Sequence, residues 1–87
     1  MSQVCWFVYI LRCNDGTLYA GCAIDLQERL HKHNLGIASK YTRSRLPVHI
    51  VYSEVLPDRG SALRREMAIK ALSRREKLLL ISRSEKK

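Results

Sequence analysis

The stretch FVYILRCNDGTLYAGCAIDLQERLHKH, residues 7–33, decides the fold. Residues 5–12 are apolar, aromatic and β-branched, which is strand chemistry. Asn14, Asp15 and Gly16 form a turn signal, and residues 17–22 read as a second strand, so the two runs make a hairpin. Loop length then sets the register. A two-residue loop at Asp15-Gly16 would pair Tyr19 with Arg12 and put Tyr9 and Tyr19 on opposite faces. A three-residue loop, with Gly16 left-handed, pairs Tyr19 with Leu11. Side chains alternate along a strand, so this second register puts both phenols on one face. The three-residue loop is the expectation.

Asp25 opens a helix, with Glu28 three residues on in a capping-box-like pattern. Leu26 and Leu30 supply its apolar stripe, and Gly36 is the expected stop. Residues 37–47, IASKYTRSRLP, read as a polar, basic loop. Residues 48–55 read as a third strand, broken by PDRG at residues 57–60. A second helix follows, to about residue 72, and Ser73 with Glu76 caps a short last helix reaching Ile81. The order is ββαβαα, an α+β domain on a small three-stranded, mainly antiparallel sheet flanked by helices. The expected domain spans residues 1–82, with a disordered basic tail at 83–87.

With 87 residues, one domain with a modest core is expected. Lys and Arg number 16 against 8 Asp and Glu, a net charge of +8. An excess that large in so small a chain favours a polyanionic partner. No apolar run is long enough to cross a membrane, and the first residues lack the pattern of a signal peptide. Cys5, Cys13 and Cys22 are odd in number and far apart, with no CxxC. They read as free thiols of a cytoplasmic protein, neither a disulfide framework nor a zinc site.

The second helix carries one residue out of pattern. At about 100° per residue, with Ala62 set at zero, Ile69 falls near −20°, Leu63 near 100° and Met67 near 140°. Glu66 falls near 40°, inside the apolar arc. A carboxylate there needs a charged partner. Lys70, four residues on, would supply an ion pair, and a metal ion is the other candidate. Arg29 and His33 lie four residues apart on one side of the first helix. Taken alone, they read as a solvated flank, and the two tyrosines as packed strand residues. His31 reads as exposed and carries no role.

Together these positions resemble the GIY-YIG nuclease superfamily. The first motif of that family ends in a tyrosine, here FVY at residues 7–9, and the second is YAG at residues 19–21. Arg29 follows on the first helix, with His33 one turn later and Glu66 on a later helix. The resemblance runs from about residue 6 to residue 81 and points to a small single-domain bacterial branch. Phe7 stands where the first motif has glycine, Ala20 occupies the middle of the second, and Cys22 stands where many relatives carry lysine. Some relatives place an asparagine in the last helical stretch, where this chain has none.

The resemblance implies hydrolysis of phosphodiester bonds in DNA, with structured or damaged DNA among the open substrates, using one divalent metal ion. A single carboxylate, Glu66, would hold Mg²⁺ or Mn²⁺, because Mg²⁺ keeps most of its waters. Arg29 would bind the scissile phosphate. A tyrosine would activate water, with its pKa lowered by nearby cations; Tyr9 is favoured, with Tyr19 as its hydrogen-bonding partner, and the reverse assignment stays open. His33 would orient Tyr9 or touch the phosphate, and Gly21 would let backbone approach the cluster. Lys40, Tyr41, Arg43 and Arg45 of the basic loop would track the nucleic-acid backbone, DNA ahead of RNA. No membrane and no small-molecule cofactor is implied, and a protein partner that supplies targeting is compatible. The alternative is a nucleic-acid-binding module that keeps the fold without the catalysis.

Overall fold

A computed structural model describes residues 5–85. Strand β1 (Trp6–Arg12) lies at the centre of a three-stranded antiparallel sheet, flanked by β2 (Leu18–Ala23) and β3 (His49–Leu56), in the order β2-β1-β3. The hairpin has the three-residue loop. Leu11 pairs with Tyr19 and Tyr9 with Gly21. Gly16 has φ +84°, a left-handed conformation that glycine adopts without steric cost, and its N–H donates to the Cys13 carbonyl at 2.9 Å.

Helix α1 (Leu26–Asn34) starts where the Asp25 carboxylate accepts the Glu28 N–H, and ends before Gly36, at φ +80°. The basic loop differs from expectation by holding one helical turn, α2 (Lys40–Arg43). Ser39 caps it through the Tyr41 N–H, a local signal masked by the surrounding charge. Helix α3 (Arg59–Ala71) is capped by Asp58. Helix α4 (Arg74–Glu85) begins at the predicted box, in which Ser73 and Glu76 each accept the other's backbone N–H. It runs past Ile81, because nothing in residues 82–85 breaks a helix; residues 86 and 87 of the predicted tail lie outside the described residues. Apart from α2 the order is ββαβαα.

Each sheet face has its own core. Val8, Ile10 and Ala20 pack under α3 and α4 against Ala62, Ile69 and Ile81. Tyr9, Leu11 and Ala23 face the other way, with Leu26, Leu30 and Val48. A bulge in β3, where Ile10 pairs with Tyr52 but Leu11 with Ile50, sends Ile50 to the second core while Val51 and Tyr52 serve the first. Asn34, at the end of α1, closes two hydrogen bonds with the backbone of Val48 and so ties that helix to the start of β3. Among the described residues no helix is long and apolar enough to cross a membrane.

Candidate functional site

The hairpin register puts the Tyr9 ring directly over Gly21. A Cβ added at Gly21 would lie 2.5 Å from the Tyr9 hydroxyl and 2.7 Å from its Cζ. Glycine there leaves space that only the phenol fills. Ala20, at the middle of the YAG motif, points to the opposite face and into the α3/α4 core, so that position answers to packing.

The Tyr9 hydroxyl lies 3.0 Å from Nε2 of His33. On the far side of the imidazole, Nδ1 lies 2.9 Å from Thr42 Oγ1, and the Thr42 hydroxyl in turn reaches the Ser39 carbonyl at 3.4 Å. His33 and Thr42 are fully buried, and a buried polar pair is stable only when its hydrogen bonds are made. Of the two neighbours that the resemblance offered to Tyr9, its hydroxyl meets His33, and among the described residues no hydrogen bond joins it to Tyr19. Tyr19 instead packs edge-on against His33, with centroids 5.5 Å apart, and stacks on Tyr41 at 5.7 Å. Burial pushes the Tyr9 phenol above its usual value of 10.0, and Arg29 works against that rise. The expected lowering by cations is thus outweighed by desolvation. Burial, and then the Arg29 charge, lower His33 from 6.5, which keeps it neutral at pH 7. Among the described residues Arg29 makes no side-chain hydrogen bond or ion pair, so its guanidinium is available to an anion.

Glu66 comes from the other side of the sheet. It lies on α3, whose Ala62 and Ile69 pack on the opposite core. Its charge nevertheless acts on both Tyr9 and Cys22. This is possible because β2 is an outer strand: the two halves of the site meet around its free edge. The sequence left open whether Glu66 had an ionic partner, and here it does. Lys70 Nζ lies 2.7 Å from Glu66 Oε2. Burial, and then the neighbouring Glu66 carboxylate, raise the Cys22 thiol to about 11, so it is protonated at neutral pH and is no nucleophile.

The basic loop divides into two parts. Arg45 is committed to the fold: its guanidinium pairs with Asp15 at 3.0 Å, lies 4.0 Å over the Tyr41 ring and donates to the Tyr41 carbonyl. Lys40 and Arg43, the two ends of α2, are exposed. Sequence reasoning missed Thr42, which looked like one more polar loop residue. The Ser39 cap, one turn earlier, was the one local hint that residue 42 would face inward.

Among the described residues no group of three or more His, Cys, Asp or Glu converges on a point. That excludes a zinc-type cage there. A single carboxylate, Glu66, fits a hard ion that keeps its waters and borrows phosphate oxygens from a substrate.

Residues 5–78 match the GIY-YIG catalytic domain. The chain is 51% identical over 75 residues to UPF0213 proteins of Staphylococcus aureus strains Mu3 and N315, covering 86% of this chain and 92% of theirs. It is also similar to the solution NMR structure of a UPF0213 protein from Bacillus halodurans, with 42% identity and a TM-score of 0.58, covering 90% of this chain and 83% of that one.

Proposed function

The chain belongs to the GIY-YIG catalytic domain family, and from that premise we propose that it is an endonuclease hydrolysing phosphodiester bonds in nucleic acid, DNA ahead of RNA. The observation that carries this reading is the hydrogen-bonded line Tyr9–His33–Thr42, beside the Arg29 guanidinium and across the β2 edge from Glu66.

In this reading Arg29 binds the scissile phosphate, where its planar fork matches two oxygens and opposes the charge that builds in the transition state. Glu66 would hold one Mg²⁺ or Mn²⁺, which when bound would supply polarisation of the phosphate and charge stabilisation of the leaving oxygen. Tyr9 takes the proton of the attacking water. A neutral phenol does this only by giving up its own proton, and His33 is the acceptor. When Thr42 donates to the Ser39 carbonyl, it accepts from Nδ1–H, which leaves Nε2 as the lone-pair nitrogen facing the phenol. Gly21 keeps Tyr9 in line, and Lys40 and Arg43 track the backbone away from the cut.

A second reading, a binding module without catalysis, has its own support. Lys70 already neutralises Glu66, and burial raises the Tyr9 phenol. One experiment separates the two. Supercoiled plasmid, branched DNA and structured RNA are incubated with the protein and Mg²⁺ or Mn²⁺, alongside identically purified Glu66→Ala and Tyr9→Phe variants. The nuclease reading expects cleavage that disappears in both variants while binding persists. Absence of cleavage on every substrate, with equal binding by all three proteins, would replace it with the binding reading.

A further inference from the structure

Lys70 has no part in the chemistry above, yet it occupies the one carboxylate the site offers. Around α3, Lys70 falls between Glu66 and Leu63, and it reaches toward Tyr19 of β2. Its ammonium is 2.7 Å from Glu66 Oε2 and 5.8 Å from the centre of the Tyr19 ring. The two partners are unequally held. The Glu66 side chain is 17% exposed and the Lys70 side chain 50%. The mostly covered carboxylate requires a counter-charge, while the lysine reaches it from solvent on a flexible stem and can withdraw.

We infer that Lys70 is an exchangeable counter-ion of Glu66, which holds the carboxylate when no divalent cation is present and competes with that cation for it. This inference rests on the reading of Glu66 as the metal-holding residue. The charges favour exchange over sharing. Glu66 with Lys70 is neutral, and a divalent ion added beside a retained ammonium would leave two like-charged groups on one carboxylate. The paired ammonium already lies 5.8 Å from the centre of the Tyr19 ring, so that aromatic face is within cation–π reach when it leaves the carboxylate. Such a lysine weakens ion binding in the free protein and leaves a positive charge beside an incoming polyanion, so ion and nucleic acid bind better together than apart.

The test reads metal binding directly, without turnover. Mn²⁺ is titrated into the full chain at low salt, and free ion is followed by its electron paramagnetic resonance. Wild type is compared with Lys70→Met, Lys70→Gln, Lys70→Arg and Glu66→Gln, and each fold is checked by circular dichroism. Lys70→Gln keeps a hydrogen bond to the carboxylate without the charge, so it covers any misfolding of Lys70→Met. Removing a half-exposed competing charge is expected to tighten Mn²⁺ binding about three- to tenfold in both variants. Lys70→Arg should bind like wild type and Glu66→Gln should not bind. A merely structural ion pair would not produce tighter binding on its removal. Affinity in Lys70→Met and Lys70→Gln within twofold of wild type, with Glu66→Gln silent, would overturn the inference and leave the metal reading standing. Binding by Glu66→Gln as tight as wild type would overturn both.

Discussion

The Tyr9 hydroxyl meets Nε2 of His33 at 3.0 Å, across 24 residues of chain and out of contact with bulk solvent. A strand supplies one group and a helix the other, and both are held by packing. The imidazole is the hub: its second nitrogen is anchored by Thr42 and its edges meet both site tyrosines.

That hub predicts a pH profile. If His33 takes the phenol's proton, it must be neutral, and its value already lies below 6.5. The rate on a cleavable substrate should therefore fall on the acid side at a lower pH than an ordinary histidine would give. In His33→Gln the rate should drop by about two to four orders of magnitude, with loss of that acidic limb. An unchanged limb in the variant would assign it to another group.

Folding should show a related acid dependence. Because His33 binds protons less readily folded than unfolded, its contribution is full above pH 6.5 and declines as pH falls through that value. Arg65 and Tyr52 hydrogen bonds hold Glu54 below 4.5 against the effect of burial, so its contribution persists above that range and is lost only at lower pH. Chemical denaturation from pH 8 to 3 should therefore show two separate decreases, and His33→Gln should remove the first.

Thr42→Val keeps shape and removes the anchor. The buried His33 Nδ1 is left without a partner, at a cost of about 1–3 kcal/mol. Thr42→Ser, which keeps the hydroxyl, should stay within about 1 kcal/mol of wild type, as judged by urea unfolding.

Gly21→Ala forces a methyl into the Tyr9 ring and should cost about 1–3 kcal/mol. The cost should shrink when Tyr9 is also reduced to alanine, since the clash is with that ring alone. A double-mutant cycle measures the difference, and additive effects would show that the clash lies elsewhere.

Arg43→Ala should leave thermal stability unchanged, weaken nucleic-acid binding and reduce its salt slope by about one. Arg45→Ala should instead lower the unfolding temperature, because it releases both Asp15 and the face of Tyr41. Thermal melts and salt titrations of the two variants separate a contact residue from a positioning one.

The local order of the chain was legible in the sequence because its signals are local. The length of the Asn14-Asp15-Gly16 loop determined which strand residues pair, and strand alternation then put both phenols on one face. Asp25, Asp58 and the Ser73/Glu76 pair marked helix starts through bonds spanning three residues. Helical periodicity singled out Glu66 as misplaced. The tertiary structure decided who meets whom. Lys70 was one of two partners open to Glu66, and the fold makes that pair; His33 rather than Tyr19 meets Tyr9. Arg45 is tied at the surface to Asp15 while Arg43 stayed in solvent, although in sequence both are arginines of the same loop. Thr42 became buried because one helical turn, capped by Ser39, rotates it under α1. Periodicity reports which face a side chain takes. Only the packing of a helix against a particular sheet edge determines what lies opposite that face, and so whether burial or a neighbouring charge controls its proton.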